Sequence, residues 1–484
     1  MKTTRARKLS THRKPQTPTY WRYDGMIWYA HTSYIRHFFT WQCNPLSLSL
    51  SLSPPARNRC PPQIWLVKLL FHRPSQTMAP PSLKLFLSIP VLVSSAEILQ
   101  TPLLTVPSAS LALHLGATSL ARHPKELLQA RRSWNAIREG LDPFGSNVVS
   151  KRLQKMLAEV VMSMKPLAAP RVLNLTLTDT TCKMMVGLQG EAGVESVLLR
   201  MGKHCSLCVS SQVGCKQACV FCATGKMGEL RNLTAHEILS QVWLAQRQCR
   251  CLGWPRVRNL VFMGMGEPAN NMEAVATALQ LLTDVESFGI SRWLITVSTV
   301  APSPQHVLQL SDLPCRLAWS IHAGKDSVRK QLVPSARYTA EQLRDAFVEC
   351  IQRRPARYQQ LICEIVLLDG INTAPEDAAA VADLLSPFER DLILINLIPY
   401  NDIGDLLPEN YGRKPLHSYR TPPVETVHQF QRSLWQRGFA CSVRQTRGDA
   451  KASACGQLAL VGAALLAAKR ETAKRIQHGF FGYF

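Results

Sequence analysis

Three thiols, Cys215, Cys219 and Cys222, stand close together at C-x3-C-x2-C spacing. Gly214 precedes them and the small-residue run Ala223-Thr224-Gly225 follows. Three cysteines this near one another cannot all be mutual disulfide partners. Three thiolates on one tight loop suit three irons of a four-iron cluster, leaving the fourth iron open to another ligand. Ordinary cluster carriers use four cysteines, and a zinc site normally closes on a fourth protein ligand. A second constellation, Gly264-x-Gly266-Glu267-Pro268, lets the backbone approach a ligand and offers a carboxylate to an ammonium group. It reads equally as a strand-ending turn with a solvated Glu. Ser298, Ser320 and His322 could hydrogen-bond a ribose or a carboxylate, although each alone reads more readily as a cap or a core polar residue. Two more cysteines occupy pointed positions: Cys208, seven residues before the first thiol, and Cys455, in a Gly-bounded turn far downstream. Isolated cysteines are usually small buried hydrophobes, which is the reading for Cys182, Cys315, Cys350 and Cys363.

The elements that must position these groups alternate regularly. Apolar strand candidates lie at 205–213, 259–264, 292–299, 315–321, 361–368 and 391–398, with helical stretches between most of them. Thr234 with Glu237 three residues on forms a capping box ahead of Ile238, Leu239, Val242 and Trp243. Strands alternating with helices imply parallel pairing through crossover helices, and six such units predict a partial (β/α)6 barrel of the α/β class. A seventh strand, 439–446, and a short helix after Gln457 close the chain. In parallel α/β sheets functional groups gather at the carboxyl ends of the strands. The three-thiol loop, the Gly264–Pro268 turn, Ser298-Thr299, Ser320 with His322, and Asn396 with Pro399 all fall at such ends. Before this core, 124–164 has helical periodicity, and 172–177, 184–188 and 194–199 read as strands of an accessory layer.

Charge and composition bound the rest. The net charge of +23 is shared between residues 1–125, where only Asp24 and Glu97 oppose the basic residues and the excess is 13, and the remainder, with about 10. Such a basic body suits a polyanion such as RNA. No apolar run is long enough to span a membrane, the best candidate, Leu85 to Val93, being broken by Ser88 and Pro90, so a soluble protein with no membrane partner is expected. Fifteen cysteines without a regular framework indicate a reducing compartment. Residues 1–125 form a basic, Ser/Pro-rich, disordered extension in this reading, with the repeat Leu46-Ser47-Leu48-Ser49-Leu50-Ser51-Leu52-Ser53, of transit-peptide composition. Met78 offers a second start, so residues 1–77 also read as a misassigned one. The domain plan is thus 1–125 extension, 126–190 accessory region, 191–465 core and 466–484 tail, with a plastid or mitochondrial address, the alternative being cytoplasmic.

Taken together, the run Cys208 to Cys222, Ala223-Thr224-Gly225, Arg231-Asn232-Leu233, Gln241-Val242-Trp243, Met263 to Pro268, Asn396-Leu397-Ile398-Pro399-Tyr400-Asn401, Arg447-Gly448-Asp449 and Ala454-Cys455-Gly456-Gln457-Leu458 closely resembles the RlmN/Cfr family. These are radical S-adenosylmethionine (SAM) methyl synthases acting on RNA adenosines, and the collinear match covers about residues 191–462. The resemblance implies that Cys215, Cys219 and Cys222 bind a 4Fe–4S cluster whose open iron chelates SAM. It implies that Cys455 accepts a methyl group from a first SAM, and that a second SAM is cleaved reductively to a radical that takes hydrogen from the S-methyl group. The carbon radical then adds to adenine, and Cys208 resolves the adduct by pairing with Cys455. Glu195, thirteen residues before Cys208, corresponds to the proton acceptor. Implied SAM contacts are Gly266, Glu267, Ser298, Ser320, Ile321, His322 and Asn396. Implied partners are ribosomal RNA, and tRNA for RlmN, with an electron donor such as flavodoxin or ferredoxin and a monomeric state.

Several departures and alternatives accompany the resemblance. Family members commonly follow the Ser-Thr pair with a Gly-containing turn, where this chain has Val300-Ala301-Pro302; residue 321 is Ile where Leu is usual. A Pro-rich, insertion-like segment lies around Asp405–Pro423, and the region before Glu195 does not match the usual RNA-binding amino-terminal domain. Carbon 2 of adenine is the expected target. Methylation at carbon 8, a non-methylating radical SAM enzyme, a cluster-holding RNA-binding protein and a zinc-binding structural protein are the alternatives.

Overall fold

The computed structural model describes residues 102–114, 124–144, 149–162, 170–188, 192–401 and 419–444, with the backbone of five short strands between residues 20 and 89. The chain divides into two compact units, Met1–Asn58 and Arg59–Phe484. The first contains two antiparallel hairpins, β1 (Tyr20–Tyr23) with β2 (Met26–Tyr29) and β3 (Phe38–Cys43) with β4 (Leu46–Ser51). The Leu-Ser alternation, expected to lie in a disordered extension, thus builds a strand, in keeping with its period of two.

The second unit is organised on one sheet. Its first elements are β5 (Leu87–Ile89), α1 (Ser108–His114), α2 (Pro124–Arg138) and α3 (Lys151–Met162). Three long strands follow: β6 (Arg171–Leu177), β7 (Thr181–Gly187) and β8 (Gly193–Met201). Next come β9 (His204–Cys208), β10 (Gln212–Cys215), α4 (Ala223–Lys226), β11 (Gly228–Asn232), α5 (Ala235–Leu252), β12 (Val257–Phe262) and α6 (Met272–Thr283). The alternation continues through β13 (Ile295–Thr299), α7 (Pro304–Gln309), β14 (Arg316–Ser320), α8 (Asp326–Leu332), α9 (Ala340–Gln352) and β15 (Leu361–Leu367). It ends with α10 (Pro375–Leu384), β16 (Ile393–Pro399), α11 (Val424–Gln436) and β17 (Ala440–Val443).

The sheet runs β17-β16-β15-β14-β13-β12-β9-β8-β7-β6-β5. From β9 to β17 every pairing is parallel, and from β9 back to β5 every pairing is antiparallel. The parallel part is the α/β alternation expected from the sequence, with the seventh strand continuing it. Its strands are sandwiched between layers, so they read as nearly unbroken apolar runs: all five residues of β13 are buried. The accessory strands are not a separate layer; they extend the same sheet because they pair edge to edge with β9 through β8.

One strand differs from the sequence reading. The stretch 205–213 is not continuous: β9 ends at Cys208, and β10 belongs to a hairpin with β11 that stands off the main sheet. The break occurs at Ser210, whose Oγ donates to Glu195 O (2.7 Å) and accepts from Met265 N (2.8 Å). Long-range polar partners therefore end a strand that local alternation would have extended.

The helical region packs firmly. Residues 102–114, inside the stretch read as an extension, contribute fully buried Leu103, Leu104, Leu111 and Ala112 to the core. On α2, Trp134 is fully buried and meets Phe288 edge-on at 5.2 Å. The α5 capping box forms as expected, Thr234 and Glu237 satisfying each other's backbone N–H groups, and Gly253 closes the helix in the left-handed conformation.

Candidate active site

A single cleft collects residues from the carboxyl ends of five successive parallel strands. The turn after β12 supplies Gly264, Gly266 and Glu267; β13 supplies Ser298 and Thr299; β14 ends in Ser320 with His322 beyond. Glu364 and Val366 come from β15, and Ile398 to Asn401 from the end of β16. Cys215, Cys219 and Cys222 line the same cleft, carried in by the β10–β11 hairpin. The loop between them is tightly wound: Ala218 sits at φ 54°, a left-handed conformation that costs a non-glycine residue about 1–2 kcal/mol. Strain of this kind persists where surrounding structure fixes it, and it clusters at functional sites.

The thiols carry no disulfide. Burial pushes the Cys215 thiol up to about 12, with Cys222, Glu267 and Glu229 adding negative potential. The Cys219 thiol is likewise pushed well up, by burial first and then by its two neighbouring thiols. A bound cation inverts this balance, since a coordinating thiol is deprotonated outright. Among the described residues no three His, Cys, Asp or Glu side chains converge as ligands of one ion. Three thiols lining one cleft suit a cluster, whose thiolates bind different irons.

Beside the thiols lies a polar rank. Ser320 Oγ stands 3.0 Å from Ser298 Oγ, which lies 3.3 Å from Glu364 Oε2. If Ser298 donates to the carboxylate, Ser320 donates to Ser298. Burial raises the Glu364 carboxyl, while Arg444, Ser298 and Asn396 act in the opposite direction. His322 is buried at φ 61° and meets Phe221 edge-on at 4.7 Å. Its Nδ1 accepts from Val366 N at 3.2 Å, so the neutral ring carries its proton on Nε2. Burial, and then Arg329, hold the imidazole down to about 3, so it is a neutral donor at physiological pH.

Glu267 is 3% exposed, and both oxygens are engaged: Oε1 accepts from Ala269 N (3.0 Å) and Oε2 from Val300 N (2.9 Å). Burial raises this carboxyl and the hydrogen bonds oppose it. Thr299 also hydrogen-bonds the carboxylate, so three of its four lone-pair sites are used and one remains for an ammonium group. The two glycines before it serve packing. A Cβ on Gly264 would lie 2.7 Å from Ser210 Oγ, and one on Gly266 2.6 Å from Gln212 Cβ. The chain's own segment after β9 therefore fills the space that the motif seemed, from sequence alone, to keep for a ligand. Val300-Ala301-Pro302 has a related explanation: Ala301 adopts φ 61°, the conformation a glycine turn would supply.

The other sequence-predicted residues fall as follows. Gly266, Glu267, Ser298, Ser320 and His322 line the cleft with the three thiols, whereas Ile321 is fully buried behind it. Asn396 stands one step back, hydrogen-bonding Glu364 and accepting from Ser442 Oγ at 3.2 Å. Cys208, half-buried on β9, is paired in register with Val197 and Val261. Glu195, on β8, forms a buried ion pair with Lys183 Nζ at 3.1 Å. Neither Cys208 nor Glu195 is part of the cleft lining. Cys455, Arg447-Gly448-Asp449 and the helix after Gln457 lie outside the described residues.

Two roles escaped the sequence reading. Glu364 was signalled only by a carboxylate inside the apolar run Leu361–Leu367. Gln241 is a clamp: its Oε1 accepts from Ser196 Oγ (2.6 Å) and Ser210 N (2.9 Å), and its Nε2 donates to Ser210 O (3.0 Å).

A parallel sheet whose strand ends converge on three thiols defines a class, and the comparisons agree with it. The Radical SAM superfamily model matches residues 209–382. A crystal structure of a radical SAM methyltransferase from Sphaerobacter thermophilus superposes with a TM-score of 0.61 at 31% identity, covering 73% of this chain and 98% of that one. The chain is 36% identical over 327 residues to the dual-specificity RNA methyltransferase RlmN of Marinobacter nauticus, covering 66% of this chain and 83% of that protein. It is also 36% identical over 319 residues to the RlmN of a Marinomonas species, covering 64% and 80%. The chain belongs to the RlmN family of radical SAM methyltransferases.

Proposed function

We propose that this protein methylates carbon 2 of an adenosine in large-subunit ribosomal RNA, and in tRNA, through an S-methyl group carried on Cys455. The observation that supports this most is the cleft in which Cys215, Cys219 and Cys222 meet Glu267, Ser298, Ser320 and His322. The thiols would hold a 4Fe–4S cluster at three corners. Glu267 would receive the ammonium of SAM, and the serine rank with His322 Nε2–H would address its hydroxyl and carboxylate oxygens. When bound, cluster and SAM supply a one-electron cleavage that produces a hydrogen-abstracting carbon radical.

The chain's own groups do the remainder. The Cys455 sulfur displaces a methyl group from a sulfonium; its C–S bond forms as the donor's breaks, and the thiol proton leaves to solvent. The methyl carbon, once it has lost a hydrogen atom, bonds to the adenine ring. The adduct loses the ring proton to Glu195 and its unpaired electron to a one-electron acceptor, which restores the aromatic ring. The Cys208 thiolate then attacks the Cys455 sulfur; the disulfide forms as the bond from that sulfur to the methylene carbon breaks with its electron pair, and the carbon takes a proton to become the methyl group. An aromatic C–H is too weak an acid and too poor a nucleophile for polar methyl transfer, which is why radical machinery is required. RNA as substrate is supported by the names of the relatives and by the excess positive charge. The basic, acid-poor residues 1–125 support an organellar address, where a bacterial-type ribosome would be the target.

Two variants of the full chain test the reading. Cys455→Ala should abolish methylation and leave cluster absorbance unchanged; full activity would refute the carrier role. Cys208→Ala should accumulate a protein–RNA adduct on a denaturing gel, and its absence would count against the resolving role.

A further inference from the structure

Behind the cleft sits a buried cation with unmade hydrogen bonds. Arg329, on α8, is 1% exposed. Its Nη2 donates to Val300 O at 2.7 Å, whereas Nε and Nη1 have no partner among the described residues. A guanidinium keeps its charge inside a protein, and a buried charge with idle donors is costly unless an anion completes it. The nearby Asp326 lowers that cost only partly, because its Oδ1 is already bound by Ala340 N at 2.7 Å.

The surroundings indicate which anion. Helix α8 packs directly against the cysteine loop: Val220 N donates to Leu332 O at 3.0 Å, and Cys219, Leu332 and Val333 share one apolar cluster. The field of Arg329 reaches both Cys219 and His322, two residues of the cleft. Thus a fixed positive charge stands beside the loop that would carry thiolates.

We propose that Arg329 is the counter-charge of the iron–sulfur cluster: an electrostatic positioning residue that favours the reduced state. This rests on the cluster reading above. A cluster held by three thiolates is anionic and gains one further negative charge when it accepts an electron from an external one-electron donor; no bond is made or broken in that step. A cation in low dielectric stabilises the more negative state more strongly, so Arg329 raises the potential and eases the reduction that begins the chemistry.

The test is an anaerobic redox titration of the full chain, reconstituted with iron and sulfide, reduced by dithionite through mediators and read by electron paramagnetic resonance. Iron content is measured first: a wild-type chain that binds no cluster fails the cluster reading itself. With the cluster present, Arg329→Gln should shift the reduction equilibrium at least tenfold towards the oxidised form, a fall of 59 mV for one electron. Arg329→Lys, which keeps the charge, should stay within that margin. An unchanged potential in Arg329→Gln overturns the proposal, including the case in which only SAM affinity falls, for then the anion is the SAM carboxylate. A tenfold shift in Arg329→Lys also overturns it, because charge would not be the lever. Should Arg329→Gln fail to fold, the Lys variant decides by the same margin.

Discussion

Replacing Gly266 with Ala separates two explanations of the Gly264–Pro268 motif. If the glycine exists to let a ligand approach, a methyl group there leaves the ligand-free protein unharmed. The structure points to the opposite. Gly266 has φ 99°, outside the range L-residues adopt, and forcing Ala into it costs about 1–3 kcal/mol. The new Cβ would stand 2.6 Å from Gln212 Cβ and 2.7 Å from Gln212 N, which is overpacking against backbone, about 1–3 kcal/mol more. Relief by movement would stretch the 2.8 Å bond from Glu267 N to Gln212 Oε1, worth about 1 kcal/mol. These contributions share partners and do not simply add, so a loss of about 3–5 kcal/mol is expected. Urea unfolding of the cluster-free protein should show a lower midpoint at unchanged slope. Unchanged stability within about 0.5 kcal/mol, together with lost SAM binding in the reconstituted protein, would refute the packing argument and restore the ligand-approach reading.

Three further outcomes follow from the same geometry. Ala301→Gly should stabilise the protein by about 0.5–1 kcal/mol, measured by denaturant midpoint, because it relieves a left-handed alanine at φ 61°. Gln241→Leu should destabilise by about 2–4 kcal/mol, since it leaves Ser196 Oγ and both backbone groups of Ser210 unpaired in the core. His322, held down to about 3 when folded, binds a proton on unfolding below its ordinary value near 6.5. Its stabilising contribution is therefore complete above that value and is lost as pH falls towards 3, amounting to about 2 kcal/mol by pH 5. In cluster-free His322→Asn, which tolerates positive φ, the drop in unfolding free energy between pH 7 and pH 5 should shrink by about that amount.

The chemistry-bearing half of this protein was legible because it obeys local rules. Cysteine spacing is a loop property, and the alternation of apolar runs with helical stretches is enough to place Glu267, Ser298, Ser320 and His322 at strand ends. Thr234 and Glu237 announce α5 within four residues of sequence. What escaped depends on contacts between distant segments. The break at Ser210 needs Glu195, Gln241 and Met265, none of them near it in sequence. Lys183 meets Glu195 only because β7 and β8 pair in that register. The glycines of the turn after β12 carry the same signature whether a ligand or the chain itself fills the space; only the position of Gln212 and Ser210 distinguishes them. Gln241 and Asn271 could be taken as substrate contacts from their types, yet they are buried clamps on the segment Ser210–Gln212.

The central claim is most directly tested by nucleoside mass spectrometry. The full chain, reconstituted anaerobically, would be incubated with SAM, a reductant and unmodified large-subunit ribosomal RNA from a bacterial-type ribosome, and the RNA digested to nucleosides. Appearance of 2-methyladenosine, absent with Cys455→Ala, is the predicted result. Formation of 8-methyladenosine alone would move the target to the other carbon of the ring, and no methyladenosine from a chain with its full iron content would contradict the account.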